Sequence, residues 1–231
     1  FDLAGFSDSI GALTVNSGAT GGTVTTGAGT LTLTGNITST GGAANASISG
    51  NLAFGATRTI TTTNAADGLN VSAVISGAGG LTKSGTGTVT LSGANTYTGA
   101  TTINAGVLSA NLLANGGVAS SIGASTNVAA NLVLGGGTLQ YTGGTVATNR
   151  SYTLTAGTTS SIDVTTPATN LTISGASTNT TGALTKLGSG TLTLSGANLY
   201  TGLTTVNAGT LRYGIANALS TGAVTVNDGG T

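Results

Sequence analysis

Apolar and polar positions alternate with a period of two along most of the chain, in runs of about four residues. Within Thr88–Leu91 the apolar Val89 and Leu91 point one way and Thr88 and Thr90 the other. This is the signature of a half-buried strand whose outer face carries β-branched residues. The stretches GTLTLTG, NLVLGGGTLQY, SYTLTAG, SSIDV and NLTISG behave alike, each bounded by Gly or Asn turn signals. Nowhere does an i, i+3, i+4 apolar spacing persist over ten residues, so the pattern predicts an all-β chain of many short strands.

A shift of 103 residues lays LTKSGTGTVTLSGANTYTGATTINAGVL (81 to 108) over LTKLGSGTLTLSGANLYTGLTTVNAGTL (184 to 211), with 21 of 28 positions identical. Short strands joined by Gly/Asn corners suit a sandwich, a barrel or a solenoid, and two features favour the solenoid. Tight hairpin dipeptides are scarce, confined to Asn115-Gly116, Asp67-Gly68 and Asp228-Gly229. An apolar-Asn-x-Gly corner recurs after Val15, Ile103, Val206 and Val226. Ile103 to Val206 spans 103 residues, about five times 20.6, and Val206 to Val226 spans 20. Residues 1–231 therefore read as a single parallel β-helix (β-solenoid) unit of about eleven coils of about 20–21 residues. Asn16, Asn104, Asn207 and Asn227 fall at the repeated corners, where a side-chain amide can ladder along the axis or close a turn.

The two aligned stretches, from about 80 to 111 and from 183 to 214, resemble the passenger-associated transport repeat, the autotransporter-associated β-strand repeat of large bacterial surface proteins. They carry Leu-Thr-Lys, Gly-x-Gly-Thr-apolar-Thr-Leu-Ser-Gly, Asn-x-Tyr-Thr-Gly and Thr-Thr-apolar-Asn-Ala-Gly. The resemblance covers about a quarter of the chain, and the flanking LAGFSDSIGALTVNSG looks like the coils that link such repeats. It implies a right-handed parallel β-helix displayed outside a bacterial cell, and it brings no catalytic residue with it.

Composition narrows the chemistry. Gly accounts for 41 residues and Thr for 49, only 4% are charged, and Cys, His, Met and Trp are absent. The formal net charge is zero with no basic cluster, so the charge that neutralises phosphates is missing and nucleic acid is not an expected partner. No apolar run reaches about 18 residues, so membrane insertion is not expected either. Without His or Cys no Ser-His-Asp, Cys-His or zinc constellation can be assembled. Asp67 and Asp163 are 96 residues apart, on the order of 20 Å along a solenoid axis, too far to act on one bond. No enzyme activity, metal or cofactor is expected. Lys83 and Lys186 read as solvated or pairing with corner carbonyls. Tyr97 and Tyr200, placed five coils apart by this period, read as packing residues.

The ends bear on function. A solenoid end is a coil with unpaired backbone groups over an apolar core, and natural ones carry polar or atypical caps. Neither end shows one: Phe1 and Leu3 alternate at the start, Val224 and Val226 at the finish. Joining Thr231 to Phe1 places Val226 and Val15 20 residues apart, the same spacing as Val206 to Val226. The expectation is an extracellular structural fibre or adhesin shaft at a bacterial surface, whose partner is itself, in tandem copies or stacked subunits. The other expectation is a module binding surface glycans or cells, at Asn111 to Asn131 or Ala176 to Gly182.

Overall fold

A computed structural model describes every residue except 217 and 220. Among the described residues twenty-three strands pair in parallel, those inside each ladder with the strand one coil earlier and the strand one coil later. The only helical element among the described residues is the single 3₁₀ turn Ala129–Asn131. No described helix is long and apolar enough to cross a membrane.

The coil is a three-sided prism. Face one begins with the first half of Thr23–Leu33 and of Ala46–Phe54. It continues through Gly68–Val71, Thr88–Leu91, Val107–Ala110, Thr138–Tyr141, Thr159–Val164, Ala183–Leu187, Thr204–Val206 and Val224–Val226. Face two stacks Leu13–Asn16, Ile37–Thr40, Arg58–Thr62, Leu81–Ser84, Thr101–Ile103, Leu132–Leu134 and Thr153–Leu154. Face three starts with Asp8–Ile10 on Leu31–Leu33 and Asn51–Ala53 on Val74–Ser76. It resumes with Val146–Thr148, Asn170–Ile173, Thr191–Leu194 and Thr210–Tyr213. The chain visits the faces in the order one, three, two. Thr23–Leu33 turns the corner within one strand, its register breaking between Thr25 and Thr30.

Alternation sends one residue in two into the prism, where like residues stack. Leu31 sits beside Leu52 and Leu52 beside Ile75, and Leu69, Val89, Leu108, Leu139 and Ile162 form a column on face one. All are buried. Each of these side chains is covered by the coils above and below, so the core runs along the rod.

Nine coil steps separate Val24 from the last strand on face one, giving about nine turns rather than eleven. The coils are longer than the repeated segments suggested. Lys83 to Ile103 and Lys186 to Val206 each take 20 residues, but Ile48 to Val71 takes 23, Ser161 to Thr185 takes 24 and Ala110 to Tyr141 takes 31. The longest step contains an excursion over residues 111–131 that interrupts face three. The spacing of five coils between the aligned segments is corrected accordingly. Leu81–Ser84 lies on face two and Ala183–Leu187 on face one, so the second copy follows the first by four turns and one face.

Candidate functional site

The chemistry-bearing side chains serve the contacts between coils. Lys83 lies on an inward position of face two and is fully buried. Its Nζ donates to the carbonyls of Ser84 and Gly85 in its own corner (2.9 and 2.8 Å) and to Ala105 in the next coil (3.1 Å). Lys186 repeats this with Leu187, Gly188 and Ala208 (2.6, 2.7 and 3.2 Å). Burial pulls both ammonium groups down to about 8, with the Asp163 charge partly offsetting this at Lys186. Of the two sequence readings for these lysines, the structure selects pairing with corner carbonyls. The corners admit this because Gly106 and Gly209 hold φ of +63° and +64°. A Cβ at either would collide with a carbonyl oxygen of the coil beneath, Gly87 or Gly190.

Asn95 and Asn198, from the Ser-Gly-Ala-Asn segments, are buried. Asn95 Oδ1 accepts from the Ile75 amide (2.8 Å) and Nδ2 donates to the Ser121 carbonyl (2.8 Å), tying the coil below to the coil above. Asn198 Oδ1 accepts from Ser177 N and Tyr152 Oη (both 2.9 Å), while Nδ2 donates to Gly196 and Ala218 carbonyls (3.1 and 2.7 Å). Tyr97 and Tyr200 are fully buried, their hydroxyls 2.6 and 2.7 Å from Thr101 and Thr204 Oγ1. Burial pushes Tyr97 well up and Tyr200 up to about 12, partly opposed by these hydrogen bonds.

Arg150 organises the excursion. Its guanidinium donates to the carbonyls of Ala114, Ser125, Val118 and Gly123 and to Ser125 Oγ (2.8 to 3.4 Å). Asp67 is likewise consumed, accepting from Thr63 Oγ1 (2.5 Å), Asn64 N (2.7 Å) and Ser17 Oγ (3.1 Å). The bond from Thr63 leads in holding this carboxyl below its usual range, against a burial penalty. Asp163 lies four coils from Asp67; its Oδ2 accepts from Gln140 Nε2 (2.9 Å), while Oδ1 is buried with no partner. Among the described residues no three His, Cys, Asp or Glu side chains converge to hold a metal.

The four corner asparagines divide between two edges of the prism. Asn16 ends a face-two strand and its Oδ1 accepts from Gly18 N (2.7 Å). Asn104 also follows face two, its backbone N–H donating to the Lys83 carbonyl (2.9 Å). Asn207 and Asn227 follow face one in adjacent coils, and Asn227 Nδ2 donates to Asn207 Oδ1 (2.6 Å). Phe1 is 61% exposed and Leu3 half-buried at one end of the rod, while Val224 and Val226 are 46% and 55% exposed at the other. Near that second end an open groove of about 580 Å³ is lined by Ala197, Asn198, Leu199, Leu219 and neighbouring threonines.

Sequence reasoning singled out Asn104 and Asn207 and passed over Asn95, Asn198 and Arg150. The asparagines had left a signal, standing unchanged in both aligned copies at the end of Ser-Gly-Ala-Asn. Arg150 left none, because its partners are backbone carbonyls of a non-repeating segment.

These features define a parallel β-solenoid whose repeated polar side chains staple successive coils. The model of the passenger-associated-transport-repeat matches residues 81–110 and 184–212, the two segments that carry the paired lysine and asparagine staples and the buried tyrosines. The chain is also similar to the adhesin BmaC autotransporter of Brucella suis biovar 1 (strain 1330), 53% identical over 133 residues. That match takes in 57% of this chain and 4% of the relative, so the chain spans a small part of the relative's length. No solved structure matches.

Proposed function

We propose that this chain is a section of the shaft of an autotransporter adhesin at a bacterial surface, a non-enzymatic rod whose coils continue end to end through further copies. The observation that carries this reading is the unbroken stacking of parallel coils, whose apolar columns and lysine and asparagine staples run along the rod. The role is mechanical, resting on backbone ladders, stacked Leu, Ile and Val, and an outer surface of Thr, Ser and Asn that hydrates almost without charge. The similarity to an autotransporter adhesin supports the surface location.

Electron microscopy tests it. Rods with an axial repeat of about 50 Å, from the nine turns of one copy plus the junction to the next at about 4.8 Å per coil, are expected; isolated compact particles would sink the proposal. On a denaturing gel, a very large band marks covalent tandem copies and one near 21.7 kDa marks stacked subunits.

One observation favours a second role in binding. Leu199 and Leu203 are 55% and 43% exposed where the first copy has Thr96 and Ala100, beside the open groove. Glycan or cell binding lost in the double variant Leu199→Thr, Leu203→Ala supports this role, and binding unchanged in that variant removes it.

A further inference from the structure

We infer that Asn115 is a modification site: its side chain closes on the Gly116 nitrogen to a succinimide when the excursion over residues 111–131 opens, and Asn149 holds the pair shut in the folded rod.

The pair has the chemistry for this. Asn115-Gly116 is the only Asn-Gly in the sequence, and a glycine after the asparagine leaves the attacking nitrogen unshielded by any side chain. Asn115 is exposed, so water and hydroxide reach it. The Gly116 N–H gives its proton to hydroxide, and the nitrogen attacks Asn115 Cγ. The bond from Cγ to Nδ2 then breaks and the nitrogen leaves as ammonia, taking a proton from water and regenerating hydroxide. Water opens the imide at either carbonyl, giving aspartate at 115 or isoaspartate, whose backbone is longer by a methylene. The balance is one water taken up and one ammonia released, with no oxidant or reductant.

The folded geometry blocks this route. Gly116 N donates to Asn149 Oδ1 and Asn149 N donates to Asn115 Oδ1, both at 2.9 Å. The reacting nitrogen and the reacting carbonyl are therefore both committed to Asn149. The flanking peptide groups are fixed as well. The Ala114 carbonyl accepts from Thr148 Oγ1 (2.8 Å) and Arg150 Nε (3.0 Å), and Gly117 N donates to the Ser125 carbonyl (2.8 Å). Gly116 lies flat against Asn127, where an added Cβ would collide with the Asn127 nitrogen. Ring closure needs these contacts to part, so modification follows local opening of the excursion.

The two products differ in consequence. Aspartate keeps an oxygen for the Asn149 N–H, and the clasp re-forms. Isoaspartate adds a methylene between Ala114 and Gly116, both of which are anchored, so the excursion does not regain its seat. The site thus converts a transient opening into a permanent one.

Incubation of the intact chain at mildly alkaline pH, followed by peptide mapping, reads the conversion at 115. The folded chain is expected to react at least about tenfold more slowly than the same chain unfolded in urea. Asn149→Ala is expected to raise the folded-state rate by about fivefold, the effect of one lost hydrogen bond. Asn149→Asp, which keeps both the acceptor oxygen and the backbone N–H, is expected to stay near the native rate. After separation of the aged products, the isoaspartate form is expected to show faster amide exchange across residues 112–126 and the aspartate form native exchange. Equal rates in folded and unfolded chain, or Asn149→Ala no faster than native, overturns the inference. So does Asn149→Asp as fast as Asn149→Ala, another asparagine modified ahead of Asn115 in the unfolded chain, or the same exchange in both products.

Discussion

Lys186 Nζ lies 3.2 Å from the carbonyl oxygen of Ala208, one coil further along the axis, and the relationship is reproduced between Lys83 and Ala105 at 3.1 Å. A buried ammonium with three carbonyl partners and no carboxylate in its hydrogen-bonded shell is an unusual staple. It holds two corners together while remaining costly to keep charged. Both lysines are followed by a coil of 20 residues, among the short steps of the rod.

The lysines make stability depend on alkaline pH. Their folded values, near 8, lie below the ordinary 10.5, so between these limits the unfolded chain binds more protons and stability rises with pH. Tyr97, Tyr152 and Tyr200 act in the opposite sense. Their folded values lie above 10.0, so stability falls once the unfolded tyrosines ionise. Urea midpoints measured from pH 7 upward are expected to climb through about 8 to 10 and then decline. In the double variant Lys83→Met, Lys186→Met the climb is expected to vanish while the decline persists.

Asn95→Ala is expected to cost about 2–4 kcal/mol, because it strands the buried Ile75 amide and Ser121 carbonyl. Asn104→Ala, at an exposed corner where only the backbone amide is engaged across coils, is expected to change stability by less than about 0.5 kcal/mol. Denaturant titration of the two variants separates the buried staple from the corner residue; equal losses would contradict the assignment.

Arg150→Met removes donors from the carbonyls of Ala114, Val118, Gly123 and Ser125 while leaving the stacked strands unaltered. The expected result is local. Amide exchange should accelerate across residues 112–126, with exchange in Thr88–Leu91 and Leu132–Leu134 unchanged. Acceleration spread evenly along the rod would show that the excursion is not a separable unit.

Gly106→Ala is expected to destabilise by at least about 1–3 kcal/mol, combining a left-handed backbone with a collision against the coil beneath. Gly144→Ala, where an added Cβ meets nothing and φ is not positive, is expected to be close to neutral. Thermal unfolding of the pair tests whether close coil-to-coil approach, rather than glycine content as such, sets the requirement.

What the sequence determined is the strand and its sidedness. Alternation at Val89 and Leu91 or Leu192 and Leu194 is a local property, and the same inward positions recur with the coil, so an all-β parallel solenoid could be read from a single chain. The identity of 21 in 28 positions at a shift of 103 residues likewise marked the segments where staples occur. What the tertiary structure alone decided is how many residues each coil takes and which face each copy occupies. Periodicity taken from two similar segments assumes that the coils between them have equal length. Coil length is instead set by corners and excursions that leave no periodic trace, such as residues 111–131. The buried roles of Lys83, Asn95 and Arg150 were beyond reach for the same reason: their partners are backbone carbonyls and amides supplied by neighbouring coils, and which carbonyl faces which side chain exists only once the coils are stacked.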